Sequence, residues 1–141
     1  MILITGGAGF IGRRVTHLLQ EAGRAVNVLD DLSGNHPAPI NCNFALGDVT
    51  NLEAFHRAAE GAEVIVHLAA ASSVTTCDTN PIVAARSNVT GTLNAIVAAR
   101  RESARLVFAS SAAVYAETTA PASETWSVQP ASLYGATKQV G

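Results

Sequence analysis

Met1-Ile2-Leu3-Ile4-Thr5-Gly6-Gly7-Ala8-Gly9-Phe10-Ile11-Gly12 opens the chain. A short apolar run with β-branched residues stops at a glycine-rich turn, and an apolar helical pattern follows at once. The glycines satisfy both Gly7-x-Gly9-x-x-Gly12 and Gly6-x-x-Gly9-x-x-Gly12. The stretch therefore reads as a strand, a tight turn and the N-terminus of a helix. Glycine lets the turn bend, lets backbone approach a pyrophosphate and lets helix pack on strand. The helix start offers free N–H groups and a partial positive charge to phosphates. A glycine turn alone has bland explanations. Here an acid, Asp30, follows the second apolar run, at the distance where a carboxylate accepts hydrogen bonds from an adenosine ribose. The pattern predicts dinucleotide binding.

The rest of the chain fits a globular α/β protein. It has 141 residues, 48% of them hydrophobic and 14% charged, enough for one domain with a real core. The net charge of −2 and the lack of a basic run exclude a nucleic-acid partner. Cys42 and Cys77 form no CxxC and have no histidine ligand pattern nearby, so no metal site is expected. They point to reduced thiols in a cytoplasmic protein. No apolar run is long enough to cross a membrane. The first strand begins at Met1, so no signal peptide is expected.

Ile11, Val15, Leu18, Leu19 and Ala22 recur at helical spacing, and Gly23 is placed to stop that helix. Ala25–Leu29 reads as a second strand ending at Asp30-Asp31, and 32–41 as loop. Asn43–Leu46 reads as a third strand, closed by Gly47-Asp48-Val49. Thr50 with Glu53 has the spacing of a capping box for a helix carrying Leu52, Phe55 and Ala59 and ending at Gly61. Glu63–Leu68 reads as a fourth strand, continuous in apolar residues as expected when both faces are covered. Residues 69–79 read as a hydroxyl-rich loop. Asn80-Pro81 reads as an N-cap and N1 pair opening one long helix to about Arg101. Arg105–Ala109 reads as a fifth strand, followed by a loop to Ser132, which caps a last helix near Leu133. Alternating strands and helices predict a Rossmann-like, doubly wound parallel sheet of order 3-2-1-4-5, with its switch point between strands 1 and 4.

Loops after the strand ends line the site in such a sheet. They hold Asp30, Asp48, Ala69–Ser73 and Ser110-Ser111. Tyr134 and Lys138, spaced i, i+4, share one face of the last helix. A nearby ammonium favours phenolate over phenol, which makes Tyr134 a candidate proton-transfer group, with Ser111 bonding the same substrate oxygen. Alone, Tyr-x-x-x-Lys is equally the pattern of an ordinary surface pair. It gains weight from the glycine turn and from the serine after strand 5.

Together these segments resemble the extended short-chain dehydrogenase/reductase family, in particular its NAD-dependent epimerase/dehydratases and their UDP-glucose 4-epimerase-like branch. The resemblance rests on Gly6-Gly7-Ala8-Gly9-Phe10-Ile11-Gly12, Asp30-Asp31-Leu32, Gly47-Asp48-Val49, His67-Leu68-Ala69-Ala70, Asn88-Val89-Thr90-Gly91-Thr92, Ser110-Ser111-Ala112-Ala113-Val114-Tyr115 and Tyr134-Gly135-Ala136-Thr137-Lys138. It implies that Gly6, Gly9, Phe10, Ile11 and Gly12 surround the pyrophosphate. Asp30, with Asp31, is implied to hold the adenosine ribose, favouring NAD over NADP because a carboxylate repels a 2′-phosphate. Asp48 and Val49 are implied to flank the adenine, and Leu68, Ala69 and Ala70 to run along the cofactor. Asn88 is implied to face the site, Tyr134 to be the acid/base, Lys138 to bind the nicotinamide ribose and tune Tyr134, and Ser111 to orient the sugar hydroxyl. Asp48 is equally explained as a strand terminator, and Asn88 as a buried helix residue bonded to backbone.

The implied activity is nucleotide-sugar epimerisation. The alternatives are a reductase or dehydrogenase of the same family and a non-catalytic NAD-binding module. Ala112-Ala113 occupy the positions where the family's 4,6-dehydratases carry an Asp-Glu pair and its decarboxylases a Glu, which speaks against those chemistries. Ala116 stands where a glycine is usual. The resemblance covers the N-terminal, cofactor-binding half of such proteins, so the substrate domain is expected to be absent and these 141 residues alone to turn over no nucleotide sugar. It also implies a homodimer through the helix near 81–101, with Val83, Ser87, Thr90, Asn94 and Val97 on its face.

Overall fold

The computed structural model describes residues 1–39, 41–116 and 118–140. The loops expected across positions 40 and 117, and the final Gly141, fall outside the described residues at those positions. Along the chain run β1 (Ile2–Thr5), α1 (Phe10–Glu21), β2 (Val26–Asp30), β3 (Asn43–Leu46), α2 (Leu52–Ala59), β4 (Val64–His67), α3 (Val74–Thr79), α4 (Pro81–Ala85), a π-helical turn (Arg86–Thr90), α5 (Gly91–Glu102), β5 (Arg105–Phe108), a 3₁₀ turn (Ala112–Val114) and α6 (Leu133–Lys138). The five strands are all parallel in the order β3-β2-β1-β4-β5, as the alternation predicts.

Strand alternation sorts the core into two layers. Leu3, Leu29 and Ile65 face α2 and α5, where Phe55, Ala58, Ala59, Ala95, Ala98 and Ala99 are buried against them. Ile2, Ile4, Val26 and Val28 face the other way, towards Val15 and Leu19 of α1. At the carboxyl end of the first face, the register pairs Thr5 with His67 and His67 with Phe108, so these three side chains form a row across β1, β4 and β5.

Several local expectations are corrected. The capping box at Thr50 does not form. Thr50 N–H is taken by the Asp48 carboxylate (2.8 Å), Asn51 caps α2 by accepting from Ala54 N–H (3.0 Å), and Glu53 pairs with Arg57 (2.8 Å). The stretch 69–79 is not all loop: Ser73 accepts from Thr76 N–H and starts α3. Asn80 precedes α4, but its side chain makes no cap. The single helix expected from 81 to 101 is broken into α4 and α5 by the π turn at Arg86–Thr90. Of the apolar stripe expected on α1, Ile11, Leu18 and Ala22 stand exposed instead of facing the sheet. Asn94 is buried, with its amide on the Val49 carbonyl (2.8 Å), so it does not belong to a free face of α5.

Candidate functional site

The glycine turn is built by close backbone approach. Gly6 has φ +69°, and a Cβ there meets Ala69 N at 2.6 Å, so the turn is pressed against the start of the loop after β4. A Cβ at Gly12 falls on the Gly6 carbonyl oxygen. Gly9 caps α1 without a side chain, and the first turn of α1 holds no acid. The first amides of α1 are thus left without a side-chain cap at the positive end of the helix dipole, and the Phe10 and Ile11 side chains of the same turn are exposed. That cradle fits a pyrophosphate.

Asp30 at the end of β2 is half-buried. One carboxylate oxygen accepts from Ala8 N–H (3.0 Å) and the other from Leu32 N–H (2.8 Å). Asp30 thus ties the glycine turn to the loop after β2 while keeping lone pairs for ribose hydroxyls. Asp31 is exposed and accepts from Ser33 N–H (2.9 Å). Asp48 is exposed, whereas Val49 is buried. Leu68, Ala69 and Ala70 are half-buried after β4, and Ala69 N–H donates to the Thr5 hydroxyl at 3.4 Å.

Asn88 lies inside the π turn and is 2% exposed. Its Oδ1 accepts from Ala71 N–H (2.7 Å), and its Nδ2 donates to the Ala71 carbonyl (3.1 Å) and to Thr137 Oγ1 (2.9 Å). Asn88 therefore holds the loop after β4 and α6, in keeping with the structural alternative open at the sequence level.

Ser111 follows β5, and its hydroxyl accepts from Ala113 N–H (3.1 Å) to start the 3₁₀ turn. Ser132 starts α6 as expected, accepting from Gly135 N–H (3.1 Å). The absent side chain at Gly135 lets α6 lie on the Ala113 carbonyl, where a Cβ has no room. That contact packs α6, which carries the half-buried Tyr134, on the 3₁₀ turn that Ser111 starts. Lys138 is 5% exposed, donates from Nζ to the Ala109 carbonyl (3.0 Å) and sits 4.9 Å from the centre of the Phe108 ring. Burial lowers its pKa from the ordinary lysine value.

Beneath the lysine is a residue that the motif reading leaves without a role. His67 is 1% exposed and flanked by the rings of Phe108 (6.1 Å) and Phe55 (6.2 Å). Its Nδ1 is 2.7 Å from Thr5 Oγ1. Burial, with a smaller contribution from Lys138, brings its pKa down to about 4, so the ring is neutral near pH 7. Period-two alternation puts Thr5 on the face of Leu3 and His67 on the face of Ile65, and the register of β1 with β4 then sets the two side by side.

The glycine turn, the loop after β4, the Ser111 turn and the Tyr134/Lys138 helix thus all stand at the carboxyl ends of β1, β4 and β5. The sequence model of the NAD dependent epimerase/dehydratase family matches residues 2–141. The chain belongs to this family. Within this family it is similar to enzymes of several activities. The UDP-glucose 4-epimerase of Corynebacterium glutamicum is 36% identical over 141 residues, covering 97% of this chain and 43% of that protein. The dTDP-glucose 4,6-dehydratase of Mycobacterium tuberculosis is 34% identical over 149 residues, covering 97% and 45%. The crystal structure of the Thermus thermophilus UDP-glucose 4-epimerase in complex with NAD matches with a TM-score of 0.90 at 35% identity, over 97% of this chain and 47% of that one. The chain spans less than half the length of these relatives. Among the described residues no helix is long and apolar enough to cross a membrane, and no group of three or more His, Cys, Asp or Glu is placed to hold a metal ion.

Proposed function

We propose that this chain forms the cofactor-binding part of an NAD-dependent nucleotide-sugar epimerase, with chemistry like that of a UDP-glucose 4-epimerase. The observation that carries the proposal is the joining of an uncapped glycine turn and the Ser111/Tyr134/Lys138 set at neighbouring strand ends of one sheet. Bound NAD supplies the acceptance and return of a hydride at a sugar carbon. The chain's own residues supply the rest. The α1 amides hold the pyrophosphate, and Asp30 accepts from the adenosine ribose. Tyr134 takes the proton of the sugar hydroxyl as the carbon is oxidised and gives it back once the keto sugar has turned its other face. Ser111 orients that oxygen. Lys138 bonds the nicotinamide ribose and places positive charge near the Tyr134 phenol.

An epimerase or a simple reductase is favoured over a dehydratase because Ala112 and Ala113 follow Ser111, leaving no carboxylate there for elimination. Exposed Val83, Leu93, Ile96 and Val97 offer an apolar face for a second copy of the chain.

Calorimetric titration of this chain with NAD tests the cofactor site, and saturable binding is expected. Epimer formation from UDP- and dTDP-sugars, followed by NMR, tests the activity. It is expected from a chain extended to the length of the relatives and not from these residues alone. Tyr134→Phe in the extended chain is expected to cut kcat by roughly 10²–10⁴, the range for a lost acid/base. Undiminished turnover by that variant refutes the assignment of Tyr134.

A further inference from the structure

Lys138 is the only lysine in the sequence, and it is buried at the end of a helix of six residues. So short a helix does not hold itself together in water. The Ser132 cap closes its first turn from within, and the Gly135 contact with Ala113 and the bond from Lys138 to Ala109 fasten it to the segment after β5. A further contact is of another kind. Thr137, 4% exposed, donates from Oγ1 to the Tyr134 carbonyl (2.8 Å) and accepts from the Asn88 amide (2.9 Å). The other amide proton and the oxygen of Asn88 are both used on the backbone of Ala71, whose carbonyl also accepts from the Cys77 thiol at 3.4 Å. The π turn carries this amide between the two partners, and every polar atom in the chain of bonds is satisfied.

We infer that Thr137 is a positioning residue: its hydroxyl, gripped by Asn88, latches the Tyr134/Lys138 helix to the loop after β4 and so keeps Lys138 in its buried place. The inference rests on the proposed function for its catalytic meaning. The latch itself is a claim about this chain's own residues. Valine matches threonine in shape but lacks the hydroxyl, so Thr137→Val cuts the latch and leaves an unpaired amide proton on Asn88. Serine restores the hydroxyl.

The single lysine makes the test clean. Wild type, Thr137→Val and Thr137→Ser are treated with an amine-acylating reagent under native conditions, and the modified peptides are quantified by mass spectrometry. The only other amine, at Met1, is the internal control. Thr137→Val is expected to raise the Lys138 labelling rate about tenfold, the factor for one lost buried hydrogen bond, without changing Met1. Thr137→Ser is expected to label like wild type. Saturating NAD is expected to protect Lys138 in wild type and Thr137→Ser, and less in Thr137→Val. Wild-type labelling of Thr137→Val overturns the latch, as does failure of serine to restore protection. Loss of the far-UV circular dichroism of the whole chain in Thr137→Val also overturns it, because the hydroxyl then supports the fold at large and not this helix. If NAD fails to protect Lys138 in wild type, the cofactor assignment at Lys138 falls, while the latch is decided by the rates without NAD.

Discussion

Mild acid should destabilise this chain through His67. The ring has a lowered pKa of about 4 in the folded protein, against 6.5 for an ordinary histidine. Between those two values the unfolded chain binds a proton that the folded chain does not. Stability therefore falls as pH drops through the window from about 6.5 to about 4, is unaffected above it and levels off below it. The gap corresponds to about 3 kcal/mol at about 1.4 kcal/mol per unit, a large share of the roughly 5–15 kcal/mol typical of a domain. The cause is visible in the packing. Protonation puts a charge between the Phe55 and Phe108 rings, with the Lys138 ammonium over Phe108 repelling it. The assay is urea unfolding of wild type and His67→Asn at several pH values across the window. Carboxylates also begin to titrate there, so the quantity to compare is the difference between the two pH slopes. Wild type should lose about 3 kcal/mol more than the variant on going from neutrality to the bottom of the window. Parallel slopes, or an NMR titration that places the His67 ring near the ordinary value, refute the reasoning.

Asp30→Asn should weaken NAD by about tenfold to a hundredfold, the effect of about 1.5–3 kcal/mol for bonds to a charged acceptor, and should narrow the preference over NADP. Calorimetry with both cofactors checks it, and wild type binding NADP as tightly as NAD refutes the role. Gly12→Ala forces a methyl onto the Gly6 carbonyl and should cost about 1–3 kcal/mol in urea unfolding and abolish NAD binding. Light scattering after size exclusion should show a dimer joined across Val83, Leu93, Ile96 and Val97, and Leu93→Glu should return it to monomer.

Periodicity and punctuation carried the sheet. Each strand is a short apolar run bounded by a turn signal, and the strand–helix alternation dictates parallel order, so β1 to β5 and their arrangement are legible from residue types alone. What is not legible depends on single competing hydrogen bonds. Thr50 and Glu53 have capping-box spacing, but Asp48 takes the Thr50 N–H that Glu53 would have bonded, and Asn51 starts the helix one residue later by accepting from Ala54 N–H. The helix over Val74–Thr79 is hidden by its small hydroxyl residues, although Ser73 three positions before Thr76 is a usable start signal. The site divides the same way. Motifs mark Gly6, Asp30 and Ser111 at or just after strand ends and Tyr134 and Lys138 on the last helix, because each motif is a short run of neighbouring residues. The pairs Thr5–His67 and Asn88–Thr137 are separated by 62 and 49 residues and become neighbours only once the sheet is closed.

The π turn at Arg86–Thr90 also limits how this chain can change in length. A residue contributes about 100° of rotation to a helix. Deleting Ser87 and closing an unbroken α-helix would therefore swing α4, and α3 before it, by about that angle relative to α5. The loops around 32–39 and 118–131 tolerate gain or loss of residues at small entropic cost. Across Arg86–Thr90 the residue count is part of the geometry, and drift in length there should be far rarer than drift in residue identity.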